Sequence, residues 1–241
     1  MSTKKKASPK KKNNNNLYYI VGAVVAALVV AGVLVAVSLN SDDGSGTADA
    51  DTAAEVRQNM DGIPASGLVL GEPDAPVTIT EFADVACPHC RTAALNTVPT
   101  VVTDLVRTGQ AKLEFVPTVF ISASSERGAL GILAAGQQDA GWQFAEMLFH
   151  IQGNEATDWL SDADMEDIAT SLDMDVDAWR SAYQGSEVVQ QYNAATAAVA
   201  AAGVTSTPTF IVSGPGGEET LPGAVPASDI ATAVEKVSTP S

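Results

Sequence analysis

Val77-Thr78-Ile79-Thr80-Glu81-Phe82 leads through Ala83-Asp84-Val85-Ala86 into Cys87-Pro88-His89-Cys90-Arg91. The first six residues are rich in β-branched and aromatic side chains. They follow the turn formers Gly71, Pro73, Asp74 and Pro76, which is the pattern of a strand. From Arg91 to Arg107 the apolar residues Leu95, Val98, Val101, Val102, Leu105 and Val106 recur at helical spacing; Pro99 is expected to kink this helix and Gly109 to end it. A strand thus delivers two cysteines, two residues apart, to the start of a helix.

That position has chemical consequences. The first helical turn leaves unpaired amide N–H groups and the positive end of the macrodipole beside Cys87, which favours its thiolate. His89 can add a donor or a positive charge to the same sulfur. Pro88 fixes φ where no intrahelical partner awaits its missing N–H. A free cysteine titrates near ~8.5. Each pKa unit driven below ambient pH stabilises the dithiol form by about 1.4 kcal/mol. Three units would amount to roughly 90 mV for a two-electron couple. Stabilising the reduced form makes the disulfide a better oxidant, so the expected direction is donation of disulfides.

Other uses of two cysteines fit less well. A bridge closing so short a loop restrains little chain entropy. A closed zinc site needs four ligands, and only His89 and His150 could add nitrogen. A c-type haem needs histidine directly after the second cysteine, where Arg91 stands. Two soft thiolates can hold Cu(I), which makes a copper-delivery module the main alternative. No metal and no cofactor beyond the Cys87–Cys90 pair is expected, and His150, within Trp142–Gln152, reads as a partly packed helix residue.

Downstream, Lys112–Val116 alternates as a second strand, and about 122–202 is mostly helical. Ser161 with Asp164 forms a capping box, and Ser186 precedes an alanine-rich helix ending at Gly203. Thr209–Val212 is a third strand, Gly214-Pro215-Gly216-Gly217 a turn and Glu218–Leu221 a fourth strand. Ser228 is expected to cap a last helix through Val237. The order makes an α/β fold carrying a helical insertion.

Upstream, the chain changes character. Of 241 residues, 13 are basic and 29 acidic, but six lysines lie in the first dozen residues and no acid precedes Asp42. The body past residue 40 therefore carries 7 basic against 29 acidic side chains. Such a surface excludes a phosphate-binding role, and no nucleic-acid partner is expected. Leu17–Val37 holds no charged or strongly polar side chain. At 1.5 Å per residue it spans about 31 Å, close to bilayer thickness. The sequence thus divides into a Lys/Asn-rich cytoplasmic tail (1–16), a transmembrane anchor (17–39), a flexible acidic linker (40–66, with a short helix possible near Ala53–Met60) and a folded domain (67–241). A cleaved signal peptide is the competing reading, but its apolar region is usually 7–15 residues. Either way the body works outside the cytoplasm, where disulfides persist.

The domain resembles the DsbA-like branch of the thioredoxin superfamily over about residues 66–238. The resemblance is carried by Gly71–Ile79, by Cys87-Pro88-His89-Cys90-Arg91, by Gly203-Val204-Thr205-Ser206-Thr207-Pro208-Thr209-Phe210, and by the helical block between the second and third strands. It implies a thioredoxin-like α/β fold with an inserted helical subdomain. It also implies that Cys87 is the nucleophile, Cys90 the buried resolving cysteine, and His89 a tuner of the Cys87 thiolate. Pro208 would be a cis-proline facing the disulfide, with Thr207 binding an extended peptide. Glu81 would relay the Cys90 proton, with Asp84 the alternative acid. Implied partners are reduced secreted proteins and a membrane quinone-linked reoxidising protein, with the enzyme itself a monomer. Thr207 stands where many DsbA oxidases have valine, a choice shared with isomerases.

Overall fold

The computed structural model describes residues 49–240; the expected anchor lies outside the described residues. Among the described residues no helix is long and apolar enough to cross a membrane. The chain runs α1 (Ala50–Met60), β1 (Ala65–Ser66), β2 (Val69–Leu70), β3 (Val77–Ala83), α2 (Pro88–Asn96), α3 (Val98–Val101), a π-helical turn (Val102–Val106) and β4 (Ala111–Pro117). The helical block follows as α4 (Ala123–Gly136), α5 (Gly141–His150), α6 (Asp162–Ser171), α7 (Val176–Tyr183) and α8 (Ser186–Ala201). β5 (Thr209–Gly214), β6 (Gly217–Pro222) and α9 (Ala227–Val237) close it.

One mixed sheet has the order β1-β2-β4-β3-β5-β6. β3 and β4 are parallel, joined by the crossover through α2, and β5 and β6 add antiparallel. β3 is therefore central. On one of its faces Val77, Ile79 and Glu81 are all buried, as alternation along a strand requires. The crossover helix breaks where Pro99 forbids continuation: α2 ends at Asn96, and the rest proceeds as a short α-helix and a π turn to Gly109, whose φ is +72°.

The helical block has its own aromatic core. Phe144 stacks on Trp179 at 5.6 Å and Trp179 on Tyr183 at 5.2 Å, and Trp179 Nε1 donates to Gly131 O at 3.1 Å. Phe115 of β4 meets Trp142 and Phe149 of α5 edge-on, which joins the block to the sheet. Ser161 and Asp164 form the expected capping box.

Two expectations need correction. The acidic linker is not a tether down to residue 66: the short helix expected near Ala53–Met60 forms as Ala50–Met60 and, beyond that expectation, buries Ala53, Val56 and Met60. Asp49 caps its start. Arg107 donates to Asn59 O and Asp61 O, both at 2.9 Å, and so satisfies carbonyls at its end. Arg57 pairs with Asp173 and donates to Ser171 O at 2.9 Å. Composition alone could not show these distant partners. Secondly, α9 is entered through extended Pro226, and Ser228 lies within its first turn, bonded to Asp229.

Candidate active site

The loop after β3 turns on Asp84. Its Oδ1 accepts the Ala86 N–H (2.8 Å), and its Oδ2 accepts those of Phe120 (2.8 Å) and Ile121 (3.2 Å). Three backbone donors fix this fully buried side chain as an anchor between the cysteine loop and the segment after β4. The Cys87 N–H donates to Asp84 O at 2.9 Å, and the Asp84 N–H points at Cys90 Sγ at 3.4 Å.

Cys87 is the N-cap of α2, in extended conformation (φ −80°, ψ 119°), with Pro88 at the first helical position. The helix thus starts at the cysteine itself, not at Arg91. The two thiols are unbonded and unequal: Cys87 keeps 5% exposure and Cys90 none. The Cys87 thiol is lowered to about 5. The hydrogen bond from the Cys90 thiol is the main cause, outweighing burial, and the Thr207 side chain and the amides of Cys90 and His89 add to it. Burial pushes Cys90 far above the ordinary thiol range, and the neighbouring Cys87 sulfur adds to this. His89 acts on Cys87 through its backbone amide; its side chain, expected to tune the sulfur, is exposed.

Across the loop, Thr207-Pro208 is a cis peptide. The Cys87 thiol donates to Thr207 O at 3.4 Å. Pro208 O accepts the Gly223 N–H at 2.7 Å, and Thr209 Oγ1 donates to Ser206 O at 2.8 Å, so both flanks of the segment are held. The expected residues Cys87, Pro88, Cys90, Thr207 and Pro208 therefore converge on one spot.

Glu81 is buried, in register with Phe115 of β4 and Phe210 of β5, and its Oε1 has no hydrogen-bond partner. Burial raises it to about 8. It is not an outward-facing strand residue. A second carboxyl, Glu146 of α5, is raised to about 8 by burial and then by the charge of Glu81. Glu146 opens onto a crevice lined by Val56, Asn59, Val98 and Pro99. Sequence reasoning missed it, although a signal existed: Glu146 sits four residues after Trp142 and three before Phe149, on the apolar stripe of its helix. Gln152 was also missed. Its Nε2 donates to Val85 O (2.6 Å) and Cys87 O (3.1 Å). His150 is half-buried, and burial lowers its pKa. Among the described residues no group of three or more His, Cys, Asp or Glu side chains could hold a metal ion.

The arrangement is a dithiol with one acidic outer sulfur, one protonated inner sulfur, and a backbone edge facing the outer one. A family model described as Thioredoxin matches residues 65–222. The chain belongs to the thioredoxin family. Within the family it is similar to Disulfide bond formation protein D of Bacillus subtilis, 33% identical over 105 residues, which cover 43% of this chain and 47% of that protein. A probable disulfide bond formation protein D of Bacillus anthracis is 32% identical over 99 residues, 39% of this chain and 44% of that protein. The match spans about half the length of these relatives. Among solved structures, oxidised BdbD from Bacillus subtilis superposes with a TM-score of 0.63 at 23% identity, covering 72% of this chain and 97% of that one. A thioredoxin-like oxidoreductase from Silicibacter pomeroyi gives 0.58 at 26% identity, covering 76% and 95%. The thioredoxin-like fold, with its helical block, is thus shared with both.

Proposed function

We propose that this chain is a membrane-tethered, extracytoplasmic thiol:disulfide oxidoreductase that donates disulfides to secreted or cell-surface proteins. The observation that carries the reading is the inequality of the two thiols, Cys87 lowered to about 5 and Cys90 pushed up by burial. The names of the two Bacillus relatives support the same direction.

In the forward reaction a substrate thiolate attacks Sγ of Cys87 in the Cys87–Cys90 disulfide. The S–S bond breaks, a mixed disulfide forms at Cys87, and the electron pair goes to Cys90, which takes up a proton. Glu81, a carboxyl that holds its proton near neutrality, is the group assigned to supply it. A second substrate thiolate then attacks the substrate sulfur of the mixed disulfide, and Cys87 leaves as the thiolate its surroundings favour. Substrate loses two electrons and the enzyme gains them. The segment around Thr207 and Pro208 offers backbone groups to an extended peptide beside Cys87. A quinone-linked membrane protein is the proposed reoxidant, and the Leu17–Val37 span would hold both in one membrane.

The deciding experiment equilibrates the full-length chain in detergent with a glutathione series and assays refolding of a reduced, disulfide-requiring protein. A strongly oxidising potential with catalysed refolding is expected. A potential as low as that of thioredoxin, about −270 mV, would overturn the donor direction in favour of a reductase. Tight Cu(I) binding without catalysed oxidation would favour the copper reading.

A further inference from the structure

The helical insertion grips the redox loop at one place. Arg91 Nε, in the first turns of α2, donates to Phe149 O at 2.9 Å, satisfying one of the last carbonyls of α5. In return, Gln152, three residues beyond Phe149, sends both N–H bonds of its side-chain amide to the loop, at 2.6 Å to Val85 O and 3.1 Å to Cys87 O. Gln152 is 7% exposed. The Cys87 carbonyl also accepts the Arg91 N–H at 3.1 Å, the first bond of the helix. Its neighbour Ile151 is buried, and the Ile151 N–H returns to Met147 O, so the amide is held on a rigid helix end.

We propose that Gln152 is a positioning residue for the redox pair, fixing Cys87 in the N-cap conformation from which its sulfur faces the amides of α2. The physical argument is electrostatic. The carbonyl oxygen of Val85, two residues before the cysteine, and that of Cys87 itself each carry partial negative charge. Gln152 holds both through one side-chain amide. Without the amide, Val85 O loses this donor and Cys87 O keeps the Arg91 N–H; the loop then shifts to pair the freed carbonyl, because buried carbonyls must be paired, and the field at the thiolate changes with it. The amide thus acts on the sulfur through the backbone and touches no reacting atom. Its effect is specific to the charged form of Cys87, so it weakens or strengthens the oxidant without being part of the exchange. The inference rests on the proposed redox role of Cys87 only for its biological meaning.

The test reads the thiolate directly. Full-length chain is reduced and its absorbance at 240 nm followed against pH for the parent, Gln152→Leu and Gln152→Glu. Leucine removes both donors at similar volume; glutamate keeps the shape and removes the N–H groups. Each is expected to raise the Cys87 midpoint by at least one unit and to move the glutathione equilibrium about tenfold toward a more reducing couple. Variants with native near-UV circular dichroism and an unmoved Cys87 midpoint would show Gln152 to be a structural filler and overturn the proposal. In the unmodified chain, the Gln152 side-chain amide resonances should titrate with the Cys87 midpoint. Resonances that stay flat through that range would overturn it whether or not either variant folds. A chain that passes these tests yet donates no disulfides sinks the proposed function and leaves this inference standing.

Discussion

At the residue scale, the two perturbed acids of the site pull stability in opposite directions with pH. Cys87 titrates at about 5 in the folded dithiol, against 9.0 for an unperturbed thiol. A depressed pKa stabilises the fold above the unfolded value and loses that contribution as pH falls through the folded one. Between pH 4 and pH 7 the reduced protein should therefore gain about 3 kcal/mol relative to the disulfide form, whose sulfurs do not titrate. Guanidinium unfolding of both forms across that range measures the gap; a constant gap contradicts the lowered thiol. Thr207 contributes through its side chain, so Thr207→Val should raise the Cys87 midpoint by roughly half a unit to one unit. Glu81 behaves in the opposite way. Its carboxyl sits at about 8 against 4.5 ordinarily, so the folded chain holds a proton that the unfolded chain releases. Stability is then full below about pH 4.5 and declines as pH rises to about 8. Glu81→Gln should remove that decline, stabilising the protein by on the order of 4 kcal/mol at pH 8.5 and little at pH 4.5. Unfolding midpoints at the two pH values decide it, and equal effects at both would reject a buried protonated carboxyl.

At the element scale, the parts legible from sequence were those written in local chemistry. The strand at Val77, the break at Pro99, the capping box at Ser161 and the Gly214–Gly217 turn each follow from residues adjacent in the chain. The two-residue strands β1 and β2 carry no such signal; β2 exists because it pairs along the edge of β4, and β1 because it pairs with β2. The first helix was missed as a docked element for the same reason, since the groups that hold it, Arg107 and Asp173, lie far along the chain. The cysteine pair was legible from its spacing at a helix start, and the cis-proline through the family resemblance. Glu146 and Gln152 were not, because what makes them matter is their approach across the fold to Glu81 and to the Cys87 carbonyl. Arg107→Ala tests the docking of α1: it removes two hydrogen bonds to carbonyls and should lower Tm by about 3–6 °C, on the order of 1.5 kcal/mol. Gly128 of α4 makes a second element-level prediction. A Cβ there would lie 2.5 Å from Val85 Cγ2, so Gly128→Ala must push against the cysteine loop itself. Its glutathione equilibrium constant should shift along with its Tm, whereas Arg107→Ala should leave that constant unchanged.

At the scale of the whole molecule, charge and chemistry divide along the chain. Six of the eight lysines lie before residue 13, the apolar run occupies 17–37, and every acidic residue follows. The proposed anchor rests on this division: a cation-rich end before an apolar run of bilayer thickness would orient a single span with its amino terminus inside. In the proposed topology the acidic body would lie outside, where a thiol couple would meet exported chains rather than the reducing cytoplasm. Asp49 accepts the Thr52 N–H at the start of α1, and about a dozen residues lie between the end of the apolar run and α1. Fully extended these reach roughly 40 Å. Under the proposed anchoring, so short a segment would limit how far the body can move from the membrane. The prediction is therefore spatial. Full-length chain should sediment with membranes and stay there after an alkaline carbonate wash, and protease added outside intact protoplasts should remove the body. Lengthening the 38–48 segment with a Gly/Ser insert of thirty residues should slow reoxidation of Cys87–Cys90 in cells while leaving the glutathione equilibrium constant untouched, because the effective concentration at the membrane falls with tether length. Release by carbonate would remove the anchor from the account, and unchanged reoxidation with the long tether would remove the need for a partner in the same membrane.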